Sequence, residues 1–368
     1  AESVLARALE LCQQLGETPE IFSVMVYLVA QRVLRGEHRA ARETAEQVFS
    51  LAELDEAPLL AGMAHHMMGW LLVCLGEFAP ALEHAKHVME LYTPQQRRAV
   101  AVGYGIDFGV QCLSYTSAAL WFLGYPEQAL KRGREALALA QGLDHPYSLA
   151  DAQSSGGAMV HLYRRDHQAA EALAEASLSL ASEHEFRYFV AQATVQRGRV
   201  LAEQGRIEEG IAQMRQGLAY WETTGIRYRR PAFLAWLAEA YGKAGQAEQG
   251  LSVLDEALAQ VKKTDERFFE AELRRLKGEL LLMQDYKTKA EADLHQAESC
   301  FQHAIEVARR QQAKSCELRA VMSLCRLWQR QGKAAEAHQM LAEIYNWFTE
   351  GFDTADLIEA GALLQALL

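Results

Sequence analysis

The stretch Gly76-Glu77-Phe78-Ala79-Pro80-Ala81-Leu82 returns as Gly124-Tyr125-Pro126-Glu127-Gln128-Ala129-Leu130: a glycine, an aromatic residue within two positions, then Ala-Leu at the fifth and sixth. Weaker copies begin at Gly36, Arg165, Gly205, Gly245 and Gly332, with a small residue at the same offset in Ala41, Ala170, Gly210, Gly250 and Ala337. One more copy is interrupted, because a helix predicted over Phe268–Gln284 is followed by a polar insertion, Asp285–His295, before Ala297. The glycine closes one helix in the left-handed conformation and the next helix starts within two or three residues, so the two lie antiparallel. Seven positions before the anchor a second small residue recurs, in Gly69, Ser117, Ala158, Gly198, Ala238, Gly278 and Cys325, with Val29 the exception. Twelve after it stand Ala136, Ser177, Gly217, Ala257 and, shifted by the insertion, Ala304. Small residues at coupled offsets mark where helices cross closest.

The anchors at 36 and 76, at 165 and 205, and at 205 and 245 are 40 residues apart, whereas those at 76 and 124 are 48 apart. An ordinary tetratricopeptide (TPR) repeat has a period of about 34 residues, so each helix here is longer by roughly a turn. Apolar spacing agrees: Leu234, Leu237, Ala238 and Tyr241 fall on one helical face, and no stretch shows strand alternation. The expected fold is all-α, a right-handed superhelical solenoid of antiparallel helix pairs, TPR-like, with about eight pairs and a carboxyl-terminal capping helix. Residues 1–368 read as a single domain: 1–17 as the second helix of a truncated repeat, 18–350 as the eight pairs with the insertion at 285–295, and 353–368 as the cap. Asp353-Thr354-Ala355-Asp356 starts that cap, and Leu357, Ala360, Leu364 and Leu367 form its stripe. A solenoid needs such a lid over its last apolar face.

Composition narrows the function. The 37 Lys and Arg against 48 Asp and Glu leave a formal charge of −11, which repels phosphate backbones and anionic lipid, so neither nucleic acid nor membrane is an expected partner. The sequence shows no run of about 18 apolar residues and no signal-peptide grammar. Cys12, Cys74, Cys112, Cys300, Cys316 and Cys325 are scattered without a Cys-x-x-Cys pair, the usage of reduced thiols and of a cytoplasmic protein.

From about His145 onward the wording resembles a known family. Glu270-Ala271-Glu272-Leu273-Arg274-Arg275-Leu276-Lys277-Gly278-Glu279, Ala297-Glu298-Ser299-Cys300-Phe301 and Trp347-Phe348-Thr349-Glu350-Gly351-Phe352-Asp353 are similar to the carboxyl-terminal TPR region of bacterial multidomain proteins. Those proteins join a class III nucleotidyl cyclase domain to an AAA or STAND-type signal-transduction ATPase. The resemblance implies a regulatory arm of an upstream ATPase or cyclase, whose catalytic motifs lie outside this segment; no functional residue carries over.

No catalytic constellation stands in the chain itself. Gly242-Lys243-Ala244 lacks the first glycine and the hydroxyl of a phosphate-binding loop. Gly156-Gly157 reads as a close helix approach, not a nucleophile elbow. His65, His66, His84 and His87 fall on two helices of one pair with no carboxylate at metal spacing, so packing is the expectation. Neither enzyme activity nor a cofactor or metal is expected. Arg227-Tyr228-Arg229-Arg230-Pro231 interleaves cations with an aromatic, and reads as a solvated inter-repeat turn with local ion pairs.

The first helix of each pair is expected to line the inner groove. In register this gives His66 and Trp70 in one repeat, Trp121 and Phe122 in the next, and Met159 and Tyr163 in the third. Further along, the same columns give Arg199 and Glu203, Glu239 and Lys243, Arg275 and Glu279, then Arg319, Arg326 and Arg330, a charged end with arginines dominating the last repeat. An aromatic floor ending in arginines suits a protein or peptide segment with apolar and acidic side chains, the parent chain's own upstream domains being one candidate source. The expected function is a non-catalytic interaction and regulatory scaffold that docks a partner, with a second copy of the chain, in a homo-oligomer, as a candidate partner. The alternative is a solenoid that senses a small molecule, which a closed apolar pocket inside the superhelix favours over an open arginine-tipped groove.

Overall fold

The computed structural model describes Arg7 and residues 18–55, 58–284 and 291–368. The half-repeat expected over 1–17 therefore lies outside the described residues, apart from Arg7. Among the described residues regular structure is entirely helical: α1 (Thr18–Leu34), α2 (His38–Asp55), α3 (Pro58–Leu75), α4 (Phe78–Leu91), α5 (Pro94–Tyr104), α6 (Phe108–Phe122) and α7 (Pro126–Gln141). Then α8 (Pro146–Asp151) runs through a π-helical stretch (Ala152–Ala158) into α9 (Met159–Arg164). There follow α10 (His167–Glu183), α11 (Arg187–Glu203), α12 (Ile207–Thr223), α13 (Arg230–Lys243), α14 (Ala247–Thr264), α15 (Glu270–Gln284), α16 (Glu291–Arg310), α17 (Lys314–Arg330), α18 (Ala334–Tyr345) and α19 (Ala355–Ala366). Among the described residues eight antiparallel pairs and a final helix make a TPR-like solenoid. The additional helix, α5, stands between the second and third pairs and accounts for the longer spacing from Gly76 to Gly124. The expected insertion ends earlier than the sequence suggests, because Glu291–His295 already belong to α16; residues 285–290 lie outside the described residues.

The repeat signature works as the spacing predicts. Gly76 and Gly124 turn the chain with φ of 77° and 94°, a region L residues with a side chain seldom occupy. Arg165 holds the equivalent position at φ 63°, where a non-glycine residue costs backbone strain. Outside the pair that carries the insertion, twelve residues separate the partners at the helix crossing, and the contact repeats. Ser117 Oγ donates to Ala129 O at 2.7 Å, Cys325 Sγ meets Ala337 O at 3.2 Å, and a Cβ on Gly198 would lie 2.9 Å from Gly210 O.

The superhelix closes on itself. Amides of Arg227 and Tyr228 donate to Leu34 O at 2.8 and 3.2 Å, and those of Arg267 and Phe268 donate to Cys74 O at 2.9 and 3.2 Å. Ser315 Oγ donates to Trp121 O at 2.6 Å, and Arg319 Nη2 to Tyr163 O at 2.7 Å. The first two contacts join a turn between late pairs, and the last two join α17, to the end of an early inner helix four to five repeats back. The carbonyls that a helix carboxyl end leaves unpaired thus find donors on the next superhelical turn.

Closure explains why inner and outer helices differ. In α6 every residue from Phe108 to Phe122 is buried except Gln111, whereas the outer α7 buries Pro126, Ala129, Gly133, Ala136 and Ala140. The inner helix α3 is long and apolar enough by composition to cross a membrane, which corrects the expectation that no such run exists. Twelve of its residues, among them His66, Met67 and Trp70, are buried against neighbouring helices. Its apolarity is that of a core helix packed on all sides.

Candidate functional site

Two concave regions lie along the interior. The first is a cavity of about 480 Å³ among the inner helices of the amino-terminal half, closed by the turn that carries Tyr228 and Arg229. Tyr27 and Gly105, both exposed, mark its mouth. Its wall is aromatic: Trp70, Tyr104, Phe108, Tyr115, Tyr147, Phe186, Tyr188, Phe189 and Tyr228 all line it. Its polar groups are few, namely Gln111, Ser114, Asp151, Ser155 and Arg229.

Local backbone places those polar groups. Asp151 ends α8 and Ser155 lies in the π-helical stretch, whose wider register is characteristic of functional sites. Gly156 belongs to that stretch because a Cβ there would come 2.9 Å from Ser114 Oγ. Asp151 is 4% exposed, its Oδ2 has no hydrogen-bond partner, and burial raises its pKa against the lowering influence of Arg229. Arg229 has φ 65° at the start of α13; its guanidinium lies over the Tyr228 ring at 5.0 Å and donates from Nη1 to Ser155 Oγ at 3.2 Å. Among the described residues no carboxylate oxygen stands within 4 Å of that guanidinium. Its amide N–H is held by Glu266 Oε1 at 2.6 Å. Tyr115 also lines the wall, and its Oη, packed against Gly69, is buried without a partner. Buried polar atoms left unpaired in a roomy cavity are groups awaiting a ligand or solvent.

The second region, of about 200 Å³, is charged. Here the cations are already matched. Arg199 stands 3.5 Å from Glu239, Lys243 2.5 Å from Glu203, Arg275 3.0 Å from Glu272, and Arg319 2.7 Å from Asp356. Arg165 reaches Glu359 at 2.6 Å, and Arg326 the same carboxylate at 3.3 Å. Burial pushes the Glu239 carboxyl up, but Arg199, Lys243, Arg275 and Arg319 outweigh it and hold the group well below its ordinary range.

The twelve residues expected in one continuous groove therefore fall into separate places. Trp70 lines the aromatic cavity, and His66 stands behind it, stacked on Phe108 at 4.6 Å with Nε2 2.8 Å from Gln111 Oε1. Burial pushes the His66 pKa down to about 4, so its imidazole is neutral. Trp121, Phe122 and Met159 are core: Trp121 is 2% exposed, stacked on Tyr163 at 4.8 Å and covered by Arg319 at 4.7 Å. Tyr163, Arg199, Lys243, Arg275, Arg319 and Arg326 line the charged region. Arg330 is exposed and touches neither region. The turn expected to be solvated supplies the cavity's floor instead, because closure of the superhelix buries Tyr228 and Arg229 while leaving Arg227 outside.

His65, His84 and His87 come together, with ring centroids 5.0 and 4.5 Å from His65 and its Nδ1 2.9 Å from His84 Nδ1. Burial, then the neighbouring imidazoles, push His65 down to about 4. Among the described residues no group of three or more His, Cys, Asp or Glu is placed to hold a metal. The residues that sequence reasoning missed, Asp151, Tyr147, Tyr188, Tyr228 and Arg229, carry one available signal: Tyr147, Asp151 and Ser155 recur every fourth position ahead of a glycine pair.

Fold and site together define a class, TPR-like helical-repeat proteins with an internal cavity. No family model matches the chain. An uncharacterised protein of Rhizobium meliloti (strain 1021) is 22% identical over 288 residues, 78% of this chain and 27% of that protein, so the chain spans about a quarter of the relative's length. Among solved structures, a Rap protein complexed with competence and sporulation factor matches with a TM-score of 0.62 at 14% identity, over 100% of this chain and 97% of that one. The apo form of the quorum sensor NprR from B. thuringiensis matches with a TM-score of 0.50 at 13% identity, over 92% and 91%. A monomeric mutant of IFIT1 with Gppp-AAAA also matches at 0.50, 14% identical, over 93% and 72%. At such identities these likenesses show the helical-repeat fold. Because one of these structures holds an RNA fragment, the fold does not exclude nucleic acid, and the argument against it rests on charge alone.

Proposed function

We propose that this chain is a non-catalytic regulatory module that receives a small ligand in the aromatic cavity of its superhelix. The observation that carries this reading is the cavity itself: about 480 Å³, aromatic-walled, with the buried carboxylate of Asp151 and the buried guanidinium of Arg229 among its lining residues. Cavities of roughly 300–1,000 Å³ with apolar walls and a few convergent polar groups are the usual form of a small-ligand site. Docking of a partner on a free arginine groove has less support, because the arginines are neutralised by carboxylates of the same interior. The Rap structure holds competence and sporulation factor and NprR is a quorum sensor, and both share the architecture. The parent protein, in this proposal, is a larger signalling ATPase or cyclase of the kind the carboxyl half resembles, with the chain as its sensing arm.

The test uses 8-anilinonaphthalene-1-sulfonate, an apolar fluorescent anion. One molecule binds per chain with enhanced fluorescence, and Ala30→Trp, which fills the cavity from its wall, removes that binding while circular dichroism stays unchanged. Undiminished binding in the filled variant, or no binding to the wild type, sinks the proposal.

A further inference from the structure

The cavity's polar groups are arranged for a particular ligand chemistry. Asp151 and Ser155 stand one turn apart on the same inner helix, and Ser155 Oγ accepts from Arg229 Nη1 at 3.2 Å. A carboxylate and a guanidinium thus flank one hydroxyl, both more than nine-tenths buried and both on the cavity surface. They are not a completed ion pair. In the charged region Arg199, Arg275 and Arg319 each reach a carboxylate within 4 Å, whereas Arg229 reaches none among the described residues. Arg229 also occupies a left-handed backbone conformation, and such strain persists where the surroundings impose it. A buried carboxylate and a buried guanidinium that miss each other are completed by a ligand bearing both opposite charges close together.

We infer that the cavity takes a free α-amino acid with a large apolar side chain, its ammonium on Asp151, its carboxylate on Arg229 and its side chain against the aromatic wall. Only a molecule whose two charges sit on one carbon places both beside Ser155; a peptide separates its termini by several bonds. Arg matches a carboxylate with two parallel N–H donors, and Asp accepts from an ammonium without geometric penalty. Tyr147, Phe186, Tyr188 and Phe189 offer the side chain rings to pack on and lend their faces to the ammonium.

This inference rests on the cavity being a ligand site, and its test separates the two. L-phenylalanine and L-tryptophan are titrated against the intact chain by calorimetry and by displacement of the bound naphthalene sulfonate. 3-Phenylpropionate, phenethylamine, phenylalaninamide and the tripeptide Phe-Gly-Gly serve as comparisons. The amino acids displace the dye, and removing either charge weakens binding about tenfold or more, the scale of one buried charge-assisted contact. Asp151→Asn abolishes the advantage of L-phenylalanine over 3-phenylpropionate, and Arg229→Gln its advantage over phenethylamine. Dye binding without displacement by any amino acid overturns the ligand class while leaving the cavity reading intact. Equal affinity for the singly charged analogues, or tighter binding of the tripeptide, also overturns it. Should neither variant fold, the comparison of ligands on the wild-type chain decides alone.

Discussion

Glu266 is 1% exposed, and its two oxygens have different fates: Oε1 accepts the Arg229 amide while Oε2 has no partner. Burial pushes its pKa up to about 8, although the amide and guanidinium of Arg229 pull the other way. An acid whose folded pKa exceeds its unfolded one favours the protonated fold. Its contribution is full below the unfolded pKa and is lost as pH rises through the folded value. Between about pH 5 and pH 8.5 the chain therefore loses stability from this group, on the order of 2–4 kcal/mol. Glu266→Gln cannot ionise, so its melting temperature falls less over that interval than the wild type's; identical slopes count against the assignment. Arg229 stands out in the sequence as part of a basic cluster and Glu266 does not, but the burial of both is unmarked there, since charged residues in inter-repeat turns are ordinarily solvated.

Helix pairs are held at the small residues that the spacing singles out. At the α11–α12 crossing a Cβ on Gly198 would lie 2.7 Å from Met214 N and 2.9 Å from Gly210 O, both backbone atoms that cannot swing away. Gly198→Ala therefore spreads the pair and costs about 1–3 kcal/mol, more than the roughly 1 kcal/mol that alanine adds as a helix former. Gly103, on α5, has nothing within 4 Å of its would-be Cβ, so Gly103→Ala is neutral or stabilising by about 1 kcal/mol or less. Urea midpoints of the two variants, moving in opposite directions or with Gly103→Ala unchanged, check the contrast; equal losses refute it. These junctions are legible because a crossing within a pair is a fixed number of residues long. The α5 helix and the π-helical stretch break that local period, and no repeat predicts them.

At the scale of the whole molecule, Arg319 fastens one superhelical turn to the next. It donates to Tyr163 O, pairs with Asp356 at 2.7 Å and stands 3.6 Å from Glu272 while covering Trp121. Removing one member of a buried ionic network leaves its partners uncompensated, at a cost of about 3–5 kcal/mol. Arg319→Ala accordingly lowers the melting temperature and, by loosening the contact between turns, enlarges the radius of gyration in solution scattering. A variant with unchanged stability and dimensions shows that the closure rests on the backbone contacts at Leu34, Cys74 and Trp121 instead. The groove columns already place Glu203, Glu239 and Glu279 beside Arg199, Lys243 and Arg275, but Asp356, which Arg319 pairs with, lies on the final helix outside those columns, and only the folded chain brings it there.

The sequence by itself determined the helix pairs, their turns, the small-residue crossings and the final helix, all features that local spacing encodes within one repeat. Tertiary structure alone decided where the cavity lies and which residues face it. Superhelical closure brings Tyr228 against Leu34 and Trp70 from four to five repeats away, buries Arg229 beside it, and leaves Trp121 and Phe122 as core. A periodic pattern fixes each repeat against its neighbour; how far the stack has turned after several repeats is the accumulated result of small rotations, and no short motif records it.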